Sequence, residues 1–339
     1  MHPKPYLPQR PIPKRLPERK AMTVCISAIA DRHEAIVSCV DTRISTDITS
    51  LDPTVGRKMC GMRGWTILSC GTTCYAESLV DTFQGLLVNG PDNDPPTVKS
   101  LLEHALRIEI PKYSAARYLI PYGIEMKEFL NSRDKFGDER WNELSRFMWD
   151  YSEQYDVELI VSGWGTTQEQ FSGADRQANG YIFSATRDGV VAHSDDAFYA
   201  CGSGKHAAHS ALSYFNCEPH IPIAHAVYYV AGAKFSSERT SGVGPKTIMR
   251  VAKRIGEGEW RGYFIQPDEI KLIRNRWDKE HPPKISNKAE DEIVDILRGH
   301  ERSQRTSIEY MARTVDKQSK IATASPLGHG PSIPDKAQQ

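Results

Sequence analysis

The chain has 339 residues, 43 Lys+Arg balanced by 43 Asp+Glu, and 39% hydrophobic residues, enough to bury a full core with room for additions. Zero net charge argues against nucleic acid as the main partner, because phosphate binding needs a surplus of Lys and Arg, and there is no apolar run of roughly 18 residues to span a membrane. The seven cysteines are odd in number, fall mostly in apolar strand-like runs and show no CxxC or Cys/His metal spacing, the pattern of buried thiols in a reducing, cytoplasmic compartment.

Residues 1–22 stand apart. Six prolines and six Lys/Arg within 1–21 deny this segment both a helix and a strand ladder, leaving extended or disordered backbone. It is either a propeptide, an upstream extension from a misassigned start, or a retained basic arm that docks on a partner. The second is favoured, because Met22 precedes a small residue and methionine removal would expose Thr23.

From Thr23 onward the patterning is that of a folded domain. Thr23 to Ala30 and Ala35 to Val40 read as antiparallel strands around the polar turn Asp31 to Glu34, and Gly64 to Cys70 as a third strand ending at Gly71. Tyr75, Leu79, Phe83 and Leu86 recur at helical spacing over 73–87. After the Pro/Asn/Asp-rich break at 89–96, residues 97–155 are charged and mainly helical, with a capping start at Thr97 and a second helix over 141–151. Strand character returns at 157–165, 180–185, 190–193 and 197–200. Helices follow over 205–215 and 223–235, then strands at 247–251 and 260–265. This order predicts an α+β arrangement of antiparallel sheets with outer helices rather than a doubly wound sheet. Residues 267–339 form a charged helical extension, with helices over 268–278 and 289–305 separated by Pro282-Pro283, and a Pro/Ser/Gly-rich tail from Ala322.

Chemistry concentrates at Thr23, a hydroxyl directly after a methionine and 18 residues ahead of Asp41. If the chain began there, the free α-amine, with an ordinary pKa of about 7.7–8.0, would be a base beside the nucleophile; an amide nitrogen has no basicity to offer. The competing reading makes Thr23 the first residue of a strand, which β-branched residues favour anyway. His206, His209, His220 and His225 lack HxxxH or HExxH spacing, so no metal is expected there. Gly202-Ser203-Gly204-Lys205 is not a phosphate loop.

The strings TVCISAIA, AIVSCVDTRIS and GRKMCGMRGWTILSCGTTCYAESLV, followed by ELIVSGWG, YIFSATRDGVVAHSDDAFYACGSGKHAAHSAL and SSERTSGVG, resemble proteasome β-type subunits, and among these the Anbu-like bacterial proteins. The resemblance covers about 23–88 and 157–252. It implies the N-terminal-nucleophile (Ntn) hydrolase fold, a four-layer αββα sandwich, with the helical insertion 97–155 and the extension 267–339 as additions. It further implies Thr23 as nucleophile, Asp41 holding the catalytic Lys58, and Gly71 at the oxyanion hole. Ser203 would lie by the N-terminal amine and Ser241 on the last active-site loop. No cofactor or metal is implied. The implied substrate is a peptide or unfolded protein, and the implied assembly a homo-oligomeric ring; whether an ATPase partner feeds it is left open.

This sequence departs from that pattern in places. The Thr23–Asp41 interval is two residues longer, placed in the 31–34 turn, and Asp41–Lys58 one longer, placed around 49–56. Glu238 stands where the family has an aspartate. The longer 97–155 segment could cover a groove, line a ring interface or bind a regulator. Cys25 is a rival nucleophile by spacing, though it reads better as a core strand thiol. Alternatives to an N-terminal-threonine peptidase are a catalytically silent structural subunit that keeps its N-terminal arm, and a small-molecule amidase on the same fold.

Overall fold

The β-branched and small residues that open the domain build its central strands. The computed structural model describes residues 23–42, 44–45, 50–51, 58–90, 94–165, 179–256, 259–280 and 286–304. The arm 1–22, the altered loop around 49–56, Pro282-Pro283 and the tail from Ala322 therefore lie outside the described residues, apart from positions 50 and 51.

In chain order, β1 (Cys25–Ala30) and β2 (Ala35–Asp41) form a hairpin, followed by the short β3 (Ile44–Ser45) and β4 (Ser50–Leu51). A second hairpin, β5 (Met59–Met62) and β6 (Trp65–Gly71), leads into α1 (Thr73–Asn89) and α2 (Pro95–Tyr118). A 3-10 turn and the helices α3 (Met126–Asn131), α4 (Arg133–Phe136) and α5 (Asp138–Ser152) complete the helical segment. Then come β7 (Val157–Gly165), β8 (Asn179–Thr186), β9 (Gly189–Ala192), β10 (Phe198–Cys201), α6 (Lys205–Tyr214), α7 (Ile223–Ser237), β11 (Thr247–Gly256), β12 (Glu259–Ile265) and α8 (Pro267–Glu280).

The architecture is α+β. Two antiparallel five-stranded sheets run in the orders β10-β1-β2-β11-β12 and β5-β6-β7-β8-β9. The turn between β1 and β2 closes through three consecutive left-handed residues, Asp31, Arg32 and His33, and the register Ala30↔Ala35 to Cys25↔Val40 runs unbroken from it. One face of each sheet meets the other in an apolar cluster: Cys25, Ile29, Ile36 and Val40 from the first pack against Leu68, Ile160, Trp164 and Ile182 from the second. Within that interface lies a polar patch, where Ser27 Oγ is 3.0 Å from Ser38 Oγ and donates to Ser162 Oγ at 2.9 Å.

The outer face of the second sheet takes α1 and α2, with Trp65, Ile67, Leu159, Val161 and Phe183 buried against Leu79, Phe83, Val98 and Leu102. The first sheet carries α7 on β1 and β2, and α6 on β10. Ile223–Ser237 is buried almost all round because its alanines and Gly232 admit close neighbours. A Cβ at Gly232 would overlap the ring of Trp277 on α8.

One local reading differs from the sequence expectation. The cap of α2 is Asp94, whose carboxylate accepts from Thr97 N at 2.9 Å and Thr97 Oγ1 at 2.9 Å. Pro95 and Pro96 occupy the first turn, where a missing N–H leaves no partner wanting, so the helix starts earlier than Thr97. The 97–155 segment also holds a small core of its own, Ala115, Leu119, Phe129, Leu144 and Met148. The chain divides into compact units 1–290 and 291–339; of the second, residues 291–304 are described and are helical. Among the described residues no helix is long and apolar enough to cross a membrane.

Candidate active site

The end of the β1–β2 hairpin delivers a threonine and a carboxylate to one point. Register pairing places Asp41 opposite Val24, so that Asp41 N donates to Val24 O at 3.2 Å and Val24 N donates to Asp41 Oδ1 at 3.1 Å. The hydroxyl of the preceding Thr23 donates to the same carboxylate oxygen. Pairing with β11 brings the next loop to the other oxygen, where Gly244 N donates to Asp41 Oδ2 at 2.9 Å. Asp41 is fully buried, and a carboxylate there is tolerated only because both its oxygens accept hydrogen bonds and a cation lies beside it.

That cation is Lys58, from the second sheet. Lys58 O accepts from Ser69 N at 2.9 Å, which extends the β5–β6 ladder by one step and fixes where the side chain emerges. Its Nζ donates to Thr23 Oγ1 at 2.8 Å and to Asp41 Oδ1 at 3.3 Å. The threonine oxygen is thus held between an ammonium and a carboxylate. An ammonium at this distance stabilises developing negative charge on that oxygen.

The backbone of Thr23 is gripped by the β10–α6 turn. Thr23 N donates to Ser203 Oγ at 3.2 Å, and Thr23 O accepts from Ser203 Oγ at 3.2 Å and from Gly204 N at 3.2 Å. Gly202, at φ +86°, makes this close approach feasible: a Cβ there would overlap Thr23 O.

The two other residues expected from the sequence stand differently. Gly71 ends β6 at φ +106° with its α-carbon against the Asp156 carbonyl, so no side chain fits; no hydrogen bond links it to Thr23. Ser241 is exposed, in the turn ahead of β11, and makes no hydrogen bond to the Thr23 cluster. From that loop it is the Gly244 N–H that reaches the cluster.

Sequence reasoning missed what holds that loop. Lys234, fully buried on α7, donates to Gly244 O at 2.7 Å and pairs with Glu238. Arg274 on α8 clasps Glu238 through both carboxylate oxygens, Nη1 donating to Oε2 at 2.9 Å, and its guanidinium lies over the Phe235 ring. Glu238 is therefore turned toward Lys234 and Arg274 and makes no hydrogen bond to Thr23. Burial holds the Lys234 ammonium below its ordinary pKa, with the Glu238 carboxylate opposing that shift.

Cys25, the rival nucleophile, faces away from this polar cluster into the inter-sheet core, its Sγ 3.4 Å from Ser69 O. Hydrogen bonds from Cys201 and Cys70 pull its thiol down to about 6. His209 bonds the Ala200 backbone, and His220 and His225 pair with Glu218 and Glu290, so these histidines do not converge.

No protein-family model matches the sequence, and no curated protein matches it. Solved structures of Anbu proteins are similar to it. Anbu from Hyphomicrobium sp. strain MC1 has a TM-score of 0.48 at 15% identity, over 76% of this chain and 94% of that one. Its Gly-1 mutant gives 0.46 at 14% identity over the same shares. Anbu, described as an ancestral beta-subunit, from Yersinia bercovieri gives 0.47 at 13% identity, again over 76% and 94%.

Proposed function

We propose that this chain is a proteasome-like N-terminal-threonine hydrolase of the four-layer Ntn type that cleaves peptide amide bonds through an acyl-ester on Thr23. The observation that carries the reading is the placing of Lys58 Nζ at 2.8 Å from Thr23 Oγ1 beside the Asp41 carboxylate. With the bond to Met22 removed, the Thr23 amine beside Ser203 Oγ takes the hydroxyl proton as Oγ1 attacks the substrate carbonyl. Lys58 steadies the attacking oxygen, and the Gly71 backbone serves the oxyanion. The amine then gives its proton to the leaving nitrogen, and water activated by the same amine releases the acyl group. Free cysteines, mostly buried, fit a reducing cytoplasmic setting. A ring of copies would enclose such sites, with an ATPase as a candidate feeder.

One observation favours a second reading, a silent structural subunit. With the arm attached, the Thr23 nitrogen is an amide that donates to Ser203 and cannot act as a base.

The test is the intact mass and N-terminal sequence of the protein from its native host, with hydrolysis assays on peptides and acyl amino acids. An N terminus at Thr23, with peptide hydrolysis abolished in Thr23→Ala, supports the peptidase. Retention of Met22 without activity supports the subunit, and cleavage of acyl amino acids but not peptides an amidase on this fold.

A further inference from the structure

Three of the seven cysteines meet in the core although no two share a metal-binding spacing. Cys25 on β1 and Cys201 on β10 are cross-strand partners in the first sheet, and Cys70 on β6 and Glu158 on β7 are cross-strand partners in the second. The two pairs face each other where the sheets pack. Cys70 Sγ lies 3.2 Å from Cys201 Sγ, and the ligand atoms of Cys70, Cys201 and Glu158 are all within 4.8 Å of one another. Cys25, the cross-strand partner of Cys201, is buried in the same inter-sheet cluster as the other two thiols.

We propose that Cys70, Cys201 and Glu158, whose ligand atoms already converge, hold a tetrahedral zinc(II) ion in the inter-sheet core, with the neighbouring Cys25 turning in as fourth ligand on binding. Zinc–sulfur bonds of about 2.3 Å set neighbouring sulfurs about 3.8 Å apart, so the Cys70–Cys201 pair at 3.2 Å need open by about 0.6 Å. Three thiolates and a carboxylate give zinc the same net charge as a four-thiolate site. Glu158 is already oriented as ligating carboxylates are: Tyr199 Oη donates to its Oε1 at 2.7 Å. It is also the half-buried member, giving the ion a way in from solvent. Cys25 is two residues from Thr23, Cys70 precedes Gly71 and Cys201 precedes Gly202-Ser203, so the ion would tie together three segments that frame the threonine.

The experiment is titration of the reduced, metal-free full chain with Co(II), read by the d–d absorption of tetrahedral cobalt and by thiolate-to-cobalt charge transfer, followed by competition with Zn(II). One cobalt per chain is expected, displaced by zinc. Cys201→Ser should weaken binding by more than the roughly 10–100-fold typical of an outer-shell partner, with Tyr199→Phe within that range. Cys74→Ser, which removes an exposed thiol outside the cluster, should bind as wild type does. If Cys201→Ser does not fold, Glu158→Gln and Tyr199→Phe carry the comparison. Absence of tetrahedral cobalt, a spectrum lost in Cys74→Ser but kept in Glu158→Gln and Tyr199→Phe, or a metal-free protein isolated with Cys70 disulfide-bonded to Cys201 would overturn the site. None of these readouts depends on whether Thr23 is catalytically active.

Discussion

Replacing Asp41 by asparagine should destabilise the fold by about 3 kcal/mol. Asp41 Oδ1 accepts from Thr23 Oγ1, Val24 N and Lys58 Nζ, and Oδ2 from Gly244 N. An asparagine keeps one acceptor oxygen, so whichever way it turns its NH2 faces a donor. One buried N–H is then orphaned, costing roughly 1–3 kcal/mol, while a charge-assisted bond worth about 1.5–3 kcal/mol is lost. Breaking a buried ion pair costs about 3–5 kcal/mol in all; the Lys58 side chain is 13% exposed and recovers some hydration, which favours the lower end. For a domain of this size that lowers Tm by roughly 6–12 °C. Urea and thermal unfolding of Asp41→Asn, Lys58→Met and the double variant measure this. The pair should couple, the double variant losing at least about 1 kcal/mol less than the sum of the singles. An Asp41→Asn variant within about 1 kcal/mol of wild type, or strict additivity, would refute the buried-pair reasoning.

Gly202→Ala should cost at least roughly 2 kcal/mol, since left-handed backbone is strained for alanine and the new methyl meets the Thr23 carbonyl; unchanged unfolding would count against the grip described for this turn. Burial holds both His193 and His209 below the ordinary 6.5. The unfolded chain therefore binds more protons than the folded one just below that pH. Stability from these groups should be fully present above 6.5 and lost as pH falls through their folded values. Urea midpoints between about pH 7.5 and 5.5 should fall less steeply in a His193→Gln/His209→Gln variant, and parallel curves would show the two rings do not carry the dependence.

Much of the fold is legible because apolar runs bounded by turn residues mark its strands: 35–40, 157–165 and 260–265 lie within a residue or so of the observed limits. The strand Met59–Met62 was not legible, being short, half exposed and interrupted by Gly61. Neither were α3 and α4, since helices of one or two turns carry too little periodicity. At the candidate site, the order of Thr23, Asp41 and Lys58 leads to side chains that meet, and Ser203 to the Thr23 backbone. The Gly244 N–H does not announce itself, because a backbone donor leaves no mark in residue type. Lys234 hides in an alanine-rich helix, and Arg274, which shares Glu238 with it, lies on a different helix. The thiol cluster was invisible for a similar reason: its members are neighbours across strands and across sheets, and such adjacency has no sequence interval.

The serine patch between the sheets bears on how the candidate site keeps its alignment. Thr23 and Asp41 belong to one sheet and Lys58 to the other, so their meeting depends on a fixed offset between two stacked surfaces whose contact is largely apolar and crossed by a few polar bonds, such as Trp164 Nε1 donating to His33 O at 2.7 Å. Ser27 and Ser38 below and Ser162 above satisfy one another only at that offset. A slip of two residues, about 6.6 Å, would strand three hydroxyls against aliphatic side chains and carry Lys58 out of reach of the threonine. The hydroxyls thus act as a detent beside the bonds that cross at the rims, setting the offset from the middle of the interface.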